Sequence, residues 1–509
     1  MRRLALAALL ALALPGAAAS AGGGFAYGVA AGEITPSGAV LWTRAPAAGK
    51  LRLEVSKSRS FGGMPLVRDL VASPGHDLTA QAGVSALEPG THYFYRFRQG
   101  ARTSEVGEFE TAPPPETGAT VRFAISGDAD ATPKKGAKRP FYNEYEVYAR
   151  MAAEGNDFNI NLGDTIYSDS GVAGAPPALK LAAKWAMYRQ GLALPALREL
   201  RAATGLYSHW DDHEFVNDFT LAEHGRAVYE AGVKAFTDYA PVSYSKQAGL
   251  YRTFRWGKHV ELFFLDERSF RSAKASAGGT CGTPGDLAPT APAAVRGAFA
   301  SLAPSLANPV AQACLDRIRD PARTMLGKRQ YAAFTAAIKA SSATFKVVVN
   351  EVPLLQFYAL PYDRWEGYAA ERTRLLELLR DVKNVVVLTT DTHANLIGEI
   401  RLTTLEAAAP VGTGIWEVVT GPVATNTYSK EVDEALGGTP GVGDAITALF
   451  LKPAAPRGVG LTCTATDVYS YSEVKVTATT LTVTPKDANG DPLKEKTGAA
   501  CGPLVVRAR

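Results

Sequence analysis

Cysteine is scarce in this chain of 509 residues: there are four, alongside seven histidines. No cysteine adjoins a histidine and no two form a CxxC pair. Thiolate metal sites and a cysteine nucleophile are therefore disfavoured. No G-x-S-x-G pentapeptide occurs, which removes the strand-to-helix elbow of a serine hydrolase. A strong excess of one charge is missing too. The 54 Lys and Arg against 50 Asp and Glu leave a net charge of +4. That is too small to call for a nucleic-acid or membrane-surface partner, although it leaves room for a locally basic pocket. There is no internal repeat, and beyond Leu14 no apolar run approaches the ~20 residues that span a bilayer.

What is present begins at the N-terminus. Arg2 and Arg3 precede an apolar run from Leu4 to Leu14, then Pro15 and small residues. That is the order of a secretory signal peptide, expected over 1–21, with cleavage at Ala17-Ala18-Ala19 or Ala19-Ser20-Ala21. The expected location is secreted or periplasmic, by the general or the twin-arginine route. Export makes the cysteines disulfide candidates, with three pairings open. Cys281 with Cys314 would close one loop, and Cys463 with Cys501 would tie the C-terminal segment.

Hydrophobic residues at 46% and charged residues at 20% are ordinary for a folded protein. Residues 25–112 read as short strands: Val40–Thr43, Leu51–Val55, Tyr93–Arg98 and Glu105–Glu110, a pattern for a small β-sandwich. After the Pro113–Pro115 linker the pattern changes to strands alternating with helices, which argues for an α/β domain. Apolar strands are expected at Val121–Ile125, Phe158–Leu162, Leu262–Leu265, Phe345–Val349 and Val385–Leu388. Helices are expected at 141–153 and near 180–190, 225–239, 328–341 and 368–380. The segment 272–309, rich in Ala, Gly, Ser and Pro, reads as a long loop. Strand character returns at 466–485.

Polar clusters sit just past the strands: Ser126-Gly127-Asp128, Gly163-Asp164-Thr165-Ile166-Tyr167, Trp210-Asp211-Asp212-His213-Glu214, Asn350-Glu351 and Asp391-Thr392-His393. In α/β folds the ligand crevice lies beyond the C-terminal strand ends. One such aspartate is usually a turn or helix cap. Five clusters able to converge are more than that.

Their order resembles the calcineurin-like metallophosphoesterases and, within them, the PhoD-like alkaline phosphatases. The likeness extends over most of the chain after the leader. Gly163-Asp164 with Tyr167 resembles that family's GDxxY element, and Trp210–Glu214 its WDDHE element. Gly28–Gly32 through Leu41–Arg44, Leu265–Arg268, Arg323–Gly327 and Asp391–His393 complete the resemblance. It implies an α/β (α+β) fold: a four-layer metallophosphoesterase β-sandwich flanked by helices, at 119–485, with a tail at 486–509. A small all-β, fibronectin-III-like sandwich at 25–112 would precede it, as a brace rather than a surface-binding module.

The resemblance also implies roles. Asp128, Asp164, Tyr167 and His393 would bind one metal. Asp164, Asp212, Asn350 and Asp391 would bind a second, with Asp164 bridging. The second set is all oxygen, which suits Ca²⁺, or Mg²⁺ or Mn²⁺, better than Zn²⁺. The phenolate of Tyr167 makes Fe³⁺ the expected ion in the first set. Asp128 departs from the family, whose members often place a cysteine ligand there. Hydrolysis would proceed by direct attack of a metal-activated hydroxide, with His213 giving a proton to the leaving group. Arg268 and Arg364 are the candidates for phosphate contact. The expected activity is an alkaline-phosphatase-D-like phosphoesterase, a monomer acting on small phosphate monoesters or diesters. The alternatives are a phospholipase-D-like diesterase on phospholipid, teichoic acid or nucleotides, and a binding protein with a decayed site.

Overall fold

The computed structural model describes residues 24–282, 284–406 and 409–509; the expected leader at 1–21 lies outside them. The apolar strands read from the sequence fill the centres of two sheets. Val121–Ala129, Phe158–Leu162 and Gly205–His209 run parallel, Phe158 lying opposite both Phe123 and Gly205. In the second sheet Val260–Phe264, Phe345–Val349, Val385–Thr389 and Val411–Val419 are likewise parallel.

These strands are apolar at consecutive positions because both faces are covered. Phe123, Ile125, Leu262, Phe264, Val347, Val349, Val386 and Leu388 point between the two sheets into one core. Their neighbours, one residue along, point outward. Phe263, Val348 and Val387 meet Phe334 and Ile338 of the helix Gly327–Ala340 and Leu375, Leu376 and Leu379 of Ala369–Arg380. Ala124 and Leu206 meet a layer of helices at Glu146–Ala153, Leu181–Leu192, Pro195–Ala203 and Arg226–Tyr239. The result is a four-layer α/β sandwich, helix on sheet on sheet on helix.

Residues 25–112 are all-β and contribute to two sheets. Val29–Thr35 pairs in parallel with Gly205–His209 through Ala31 and Gly205, and Gly38–Arg44 and Thr79–Val84 extend the same sheet. The strands Leu66–Ala72, Gly49–Ser56, His92–Gln99, Arg102–Thr103 and Gly107–Glu110 form a separate five-stranded sheet. At the opposite edge of the large sheet, Ser470–Val476 adds antiparallel to Val121–Ala129, followed by Thr480–Asp487 and Leu504–Arg507.

The 272–309 segment differs from the expected loop. It holds the helix Ala293–Phe299 and three single 3₁₀ turns. Arg296 explains the order: its buried guanidinium donates to the carbonyls of Gly285, Ala288, Leu306 and Asn308. Those bonds depend on the folded path of the segment, so its composition gave no sign of them. Disulfides join Cys281 to Cys314 and Cys463 to Cys501. The helix expected from residue 141 begins at Glu146, since Tyr145 takes a left-handed conformation at φ 68°. No helix among the described residues is long and apolar enough to cross a membrane.

Candidate metal centre

The five loops leave the C-terminal ends of parallel strands in the two facing sheets, and so meet over one end of the sandwich. Two contacts fix their approach. Thr390 Oγ1 donates to Leu162 O across the sheets at 3.1 Å. Gly163, at φ 70°, has no room for a side chain: a Cβ would lie 2.7 Å from that of Asp211. The glycine of the GDxxY element therefore lets the second and third loops touch.

Glu214 then clamps those two loops. Its Oε1 accepts from Thr165 N–H at 2.6 Å and from the Thr165 hydroxyl, and its Oε2 accepts from Asp211 N–H at 2.9 Å. Lys184 is fully buried beneath them, donating to Ser168 Oγ and Phe215 O at 2.7 Å each. Burial lowers its pKa to about 8.

Asp128, Asp164 and His393 bring ligand atoms within 4.8 Å of one another, and so do Asp164, Asp212 and His213. Asp164 is common to both groups. Tyr167 joins the first, its hydroxyl 3.0 Å from His393 Nε2. His393 is aimed by its other nitrogen, which lies 2.7 Å from Glu431 Oε1. Asn350 is buried with its amide donating to Val352 O, which leaves Oδ1 without a partner. Both carboxylate oxygens of Asp128 are buried and unpartnered as well. Asp391 lies in the field of Asp211 and Asp212.

Three observations fit this set to cations. Burial pushes Asp128 up to about 7 and, with the neighbouring carboxylates, Asp164 and Asp391 well above the normal range. Buried carboxylates crowded in this way are costly unless a positive charge joins them. Asp128 and Asn350 present oxygens that nothing in the protein satisfies. Asp128, Asp164, Asp391 and His393 also hold left-handed backbones, at φ 58°, 49°, 71° and 52°. Each such conformation costs of order 1–3 kcal/mol, and this strain gathers at functional sites.

His213 lies at the edge of the cluster. Its ring stacks on Tyr167 at 4.1 Å between centroids, its Nε2 is 4.0 Å from Asp164 Oδ2, and its Nδ1 donates to Asp169. Asp169 is held in turn by Asn217 N–H at 2.7 Å. Burial opposes protonation of His213, but the carboxylates of Asp164, Asp212 and Asp169 outweigh it and hold the imidazole well above its usual pKa. Asp169, Lys184 and Glu431 escape sequence reading, as does the clamping role of Glu214 within its motif, because each acts between segments distant in the chain.

The arginines behave differently from each other. Arg268 is fully buried, with Nε on Asp211 and Nη1 2.8 and 3.0 Å from the Asp363 oxygens. Its Nη2 has no hydrogen-bond partner and lies 4.0 Å from Asp212 Oδ2, on the side of the cluster. Arg364 donates to Ala359 O and lies 3.5 Å from Glu366, with no hydrogen bond to a candidate ligand. His209 is structural: Nε2 is 2.7 Å from Leu265 O and Nδ1 3.0 Å from Arg252 Nη2.

A four-layer α/β sandwich with carboxylates, an amide, a phenol and histidines at the strand ends defines a metallohydrolase-like protein. The comparisons make this specific. A family model for the PhoD-like phosphatase matches residues 135–450, and one for the PhoD-like phosphatase N-terminal domain matches residues 11–113. The chain belongs to the PhoD-like phosphatase family, a family of phosphoric ester hydrolases. It is 27% identical over 430 residues to alkaline phosphatase D of Bacillus subtilis, covering 74% of this chain and 66% of that protein, just under two thirds of its length. A solved structure of PhoD superposes with a TM-score of 0.71 at 21% identity, covering 94% of each chain. The purple acid phosphatase PPD1 from yellow lupin seeds (Lupinus luteus) shares the fold at TM-score 0.55 and 12% identity, over 92% of this chain and 73% of that one.

Proposed function

We propose that this protein is an exported, metal-dependent phosphoesterase that hydrolyses phosphate esters at a centre shared between two cations through Asp164. The observation that carries the reading is the membership of Asp164 in both ligand groups. Asp128, Tyr167 and His393 would complete the first set, and Asp212, Asn350 and Asp391 the second. The all-oxygen second set suits Ca²⁺, Mg²⁺ or Mn²⁺, and the phenol of Tyr167 suits Fe³⁺ in the first. Cations held there would lower the pKa of a bound water and offset phosphate charge.

The chain's own residues supply the rest. Asp169 accepts from His213 Nδ1 and leaves Nε2–H free to point at a leaving group. The carboxylates of Asp164, Asp212 and Asp169 favour the protonated imidazole, as a proton donor requires. Arg268 Nη2 is a buried cationic donor beside Asp212 with no hydrogen-bond partner among the described residues, which supports its role in phosphate contact. Arg364 is second in line, through movement away from Glu366. Disulfides and the signal-like leader support export.

The direct experiment compares turnover of an aryl phosphate and a bis-aryl phosphate by metal-stripped protein resupplied with Ca²⁺, iron or Mn²⁺. Recovery of hydrolysis on resupply is expected, with a visible tyrosinate–iron colour when iron is bound. No hydrolysis of either ester under any metal would overturn the reading. A colourless, fully active, iron-free preparation would overturn the iron assignment alone.

A further inference from the structure

The loop after the Asp128 strand carries a feature that the proposed chemistry does not use. Residues 132–141 read TPKKGAKRPF, with Lys134, Lys135, Lys138 and Arg139 among six consecutive positions. Phe141 N–H donates to Thr132 O at 3.0 Å and closes the loop at its base. The base is tied to the sheet by Asp130 N–H on Ala424 O at 2.7 Å and Asn143 Nδ2 on Val423 O at 2.8 Å. It begins four residues beyond Asp128, on the rim of the candidate centre.

All four cations are exposed. Arg139 pairs with Glu144 at 3.2 Å in solvent, an interaction of small strength. Lys134, Lys135 and Lys138 make no ion pair among the described residues. A charge run alone would be a solvated surface, but this one is followed at once by two aromatics, Phe141 and Tyr142. Phe141 is 43% exposed, with Lys134 Nζ 4.3 Å from its ring centroid and the Tyr142 ring against it at 4.8 Å. Tyr142, beside it, lies within the fields of Asp130 and of Glu431, the partner of His393. Three lysines without an ion pair among the described residues and a half-exposed aromatic ring thus share the loop that follows the Asp128 strand.

We propose that the substrate is single-stranded nucleic acid, its scissile diester at the centre, one flanking base stacked on Phe141 and its phosphates following Lys134, Lys135, Lys138 and Arg139. This rests on the phosphoesterase reading and names its substrate class. Cations that track a backbone beside an exposed aromatic form the general single-strand binding surface. A base-free anionic polymer would use the charges and leave Phe141 idle. The hydrolysis balances: a water oxygen bonds to phosphorus and keeps one proton, one P–O ester bond breaks, the departing oxygen takes a proton from His213, and the water's other proton, released through solvent, restores His213. The products are a phosphomonoester end and a hydroxyl end. The modest net charge of the whole chain is no obstacle, because the cations are concentrated where they act.

The test uses full-length, metal-loaded protein on three substrates: an oligothymidylate, bis(p-nitrophenyl) phosphate and poly(glycerol phosphate). The variant K134Q/K135Q/K138Q/R139Q is expected to lose roughly tenfold or more in kcat/KM on the oligonucleotide, chiefly through KM. Its salt dependence should flatten, since each phosphate contact contributes about 0.7 to the slope for single strands. Phe141→Leu should cost about five- to tenfold on the oligonucleotide and nothing on its abasic counterpart. Both variants should keep wild-type turnover of the small diester, which also shows that they fold. Unchanged oligonucleotide kinetics would overturn the proposal. So would equal losses on poly(glycerol phosphate) and the oligonucleotide in Phe141→Leu. Binding of a fluorescent oligothymidylate to the wild-type protein, competed by unlabelled oligonucleotide roughly five- to tenfold more effectively than by poly(glycerol phosphate) at equal phosphate, reads the same claim without a variant. Failure of the wild type on the small diester and on an aryl monoester would instead strike the phosphoesterase reading.

Discussion

His213 donates through Nδ1 to Asp169, 44 residues away in the chain. The bond presents Nε2 to the candidate centre, and Tyr167 supports the ring from one face. If Nε2 protonates the leaving group, His213→Ala should lose about 10²–10⁴-fold in turnover on alkyl phosphates. It should lose far less on aryl phosphates with good leaving groups. Asp169→Asn should show the same selectivity with a smaller loss, and the pH at which activity falls on the alkaline side should move down. Equal losses on both substrate types would refute the proton-donor role.

Glu431 fixes the orientation of His393 from a helix, Tyr428–Ala435, that contributes no candidate ligand. Glu431→Gln should weaken metal binding by roughly 10–100-fold, the usual effect of removing a carboxylate behind a ligating histidine. Chelator competition followed by elemental analysis measures this. The protein should remain folded, because Glu431 is 43% exposed.

Metal-free protein should become less stable as pH rises. Burial raises Asp128 to about 7 and Asp211 to about 8 in the folded state, against about 3.9 unfolded. For carboxyls raised on folding, stability is fully present below the unfolded value and is lost as pH climbs through the folded one. The melting temperature of stripped protein should therefore decline between about pH 4 and pH 8. Resupplied cations should flatten that decline, since they favour the ionised ligands. A flat profile in the stripped protein would show that the carboxylates are already compensated.

Arg296 holds the 272–309 segment through four carbonyls. Arg296→Ala should open this segment to proteolysis while leaving the core transition intact, because the Cys281–Cys314 bridge still ties its ends. The side chain lost is buried and hydrogen-bonded, so a local destabilisation of about 1–3 kcal/mol is expected. Limited proteolysis with mass mapping of the cut sites would check it.

Much of the fold was legible in the strands. Val385–Leu388 lies within the strand Val385–Thr389, because a strand buried on both faces leaves an uninterrupted hydrophobic signal. Turn and motif chemistry at their ends also carried the candidate ligands, from Asp128 to His393. The order inside 272–309 was hidden, since it rests on one arginine reaching carbonyls set by the folded path. The same holds for Arg268: its residue type suggested phosphate, and only the fold showed two of its nitrogens already committed to Asp211 and Asp363.

The sequence by itself determined which residues can hold cations and that they lie just past strand ends, because residue type and hydrophobic period are local properties. Tertiary structure decided how they meet. Only the facing of two sheets places Asp164 between Asp128 and His393 on one side and Asp212 and His213 on the other. Only there do Asp169, Glu214 and Glu431 become positioning groups, since each bonds to a partner brought near by packing rather than by the chain.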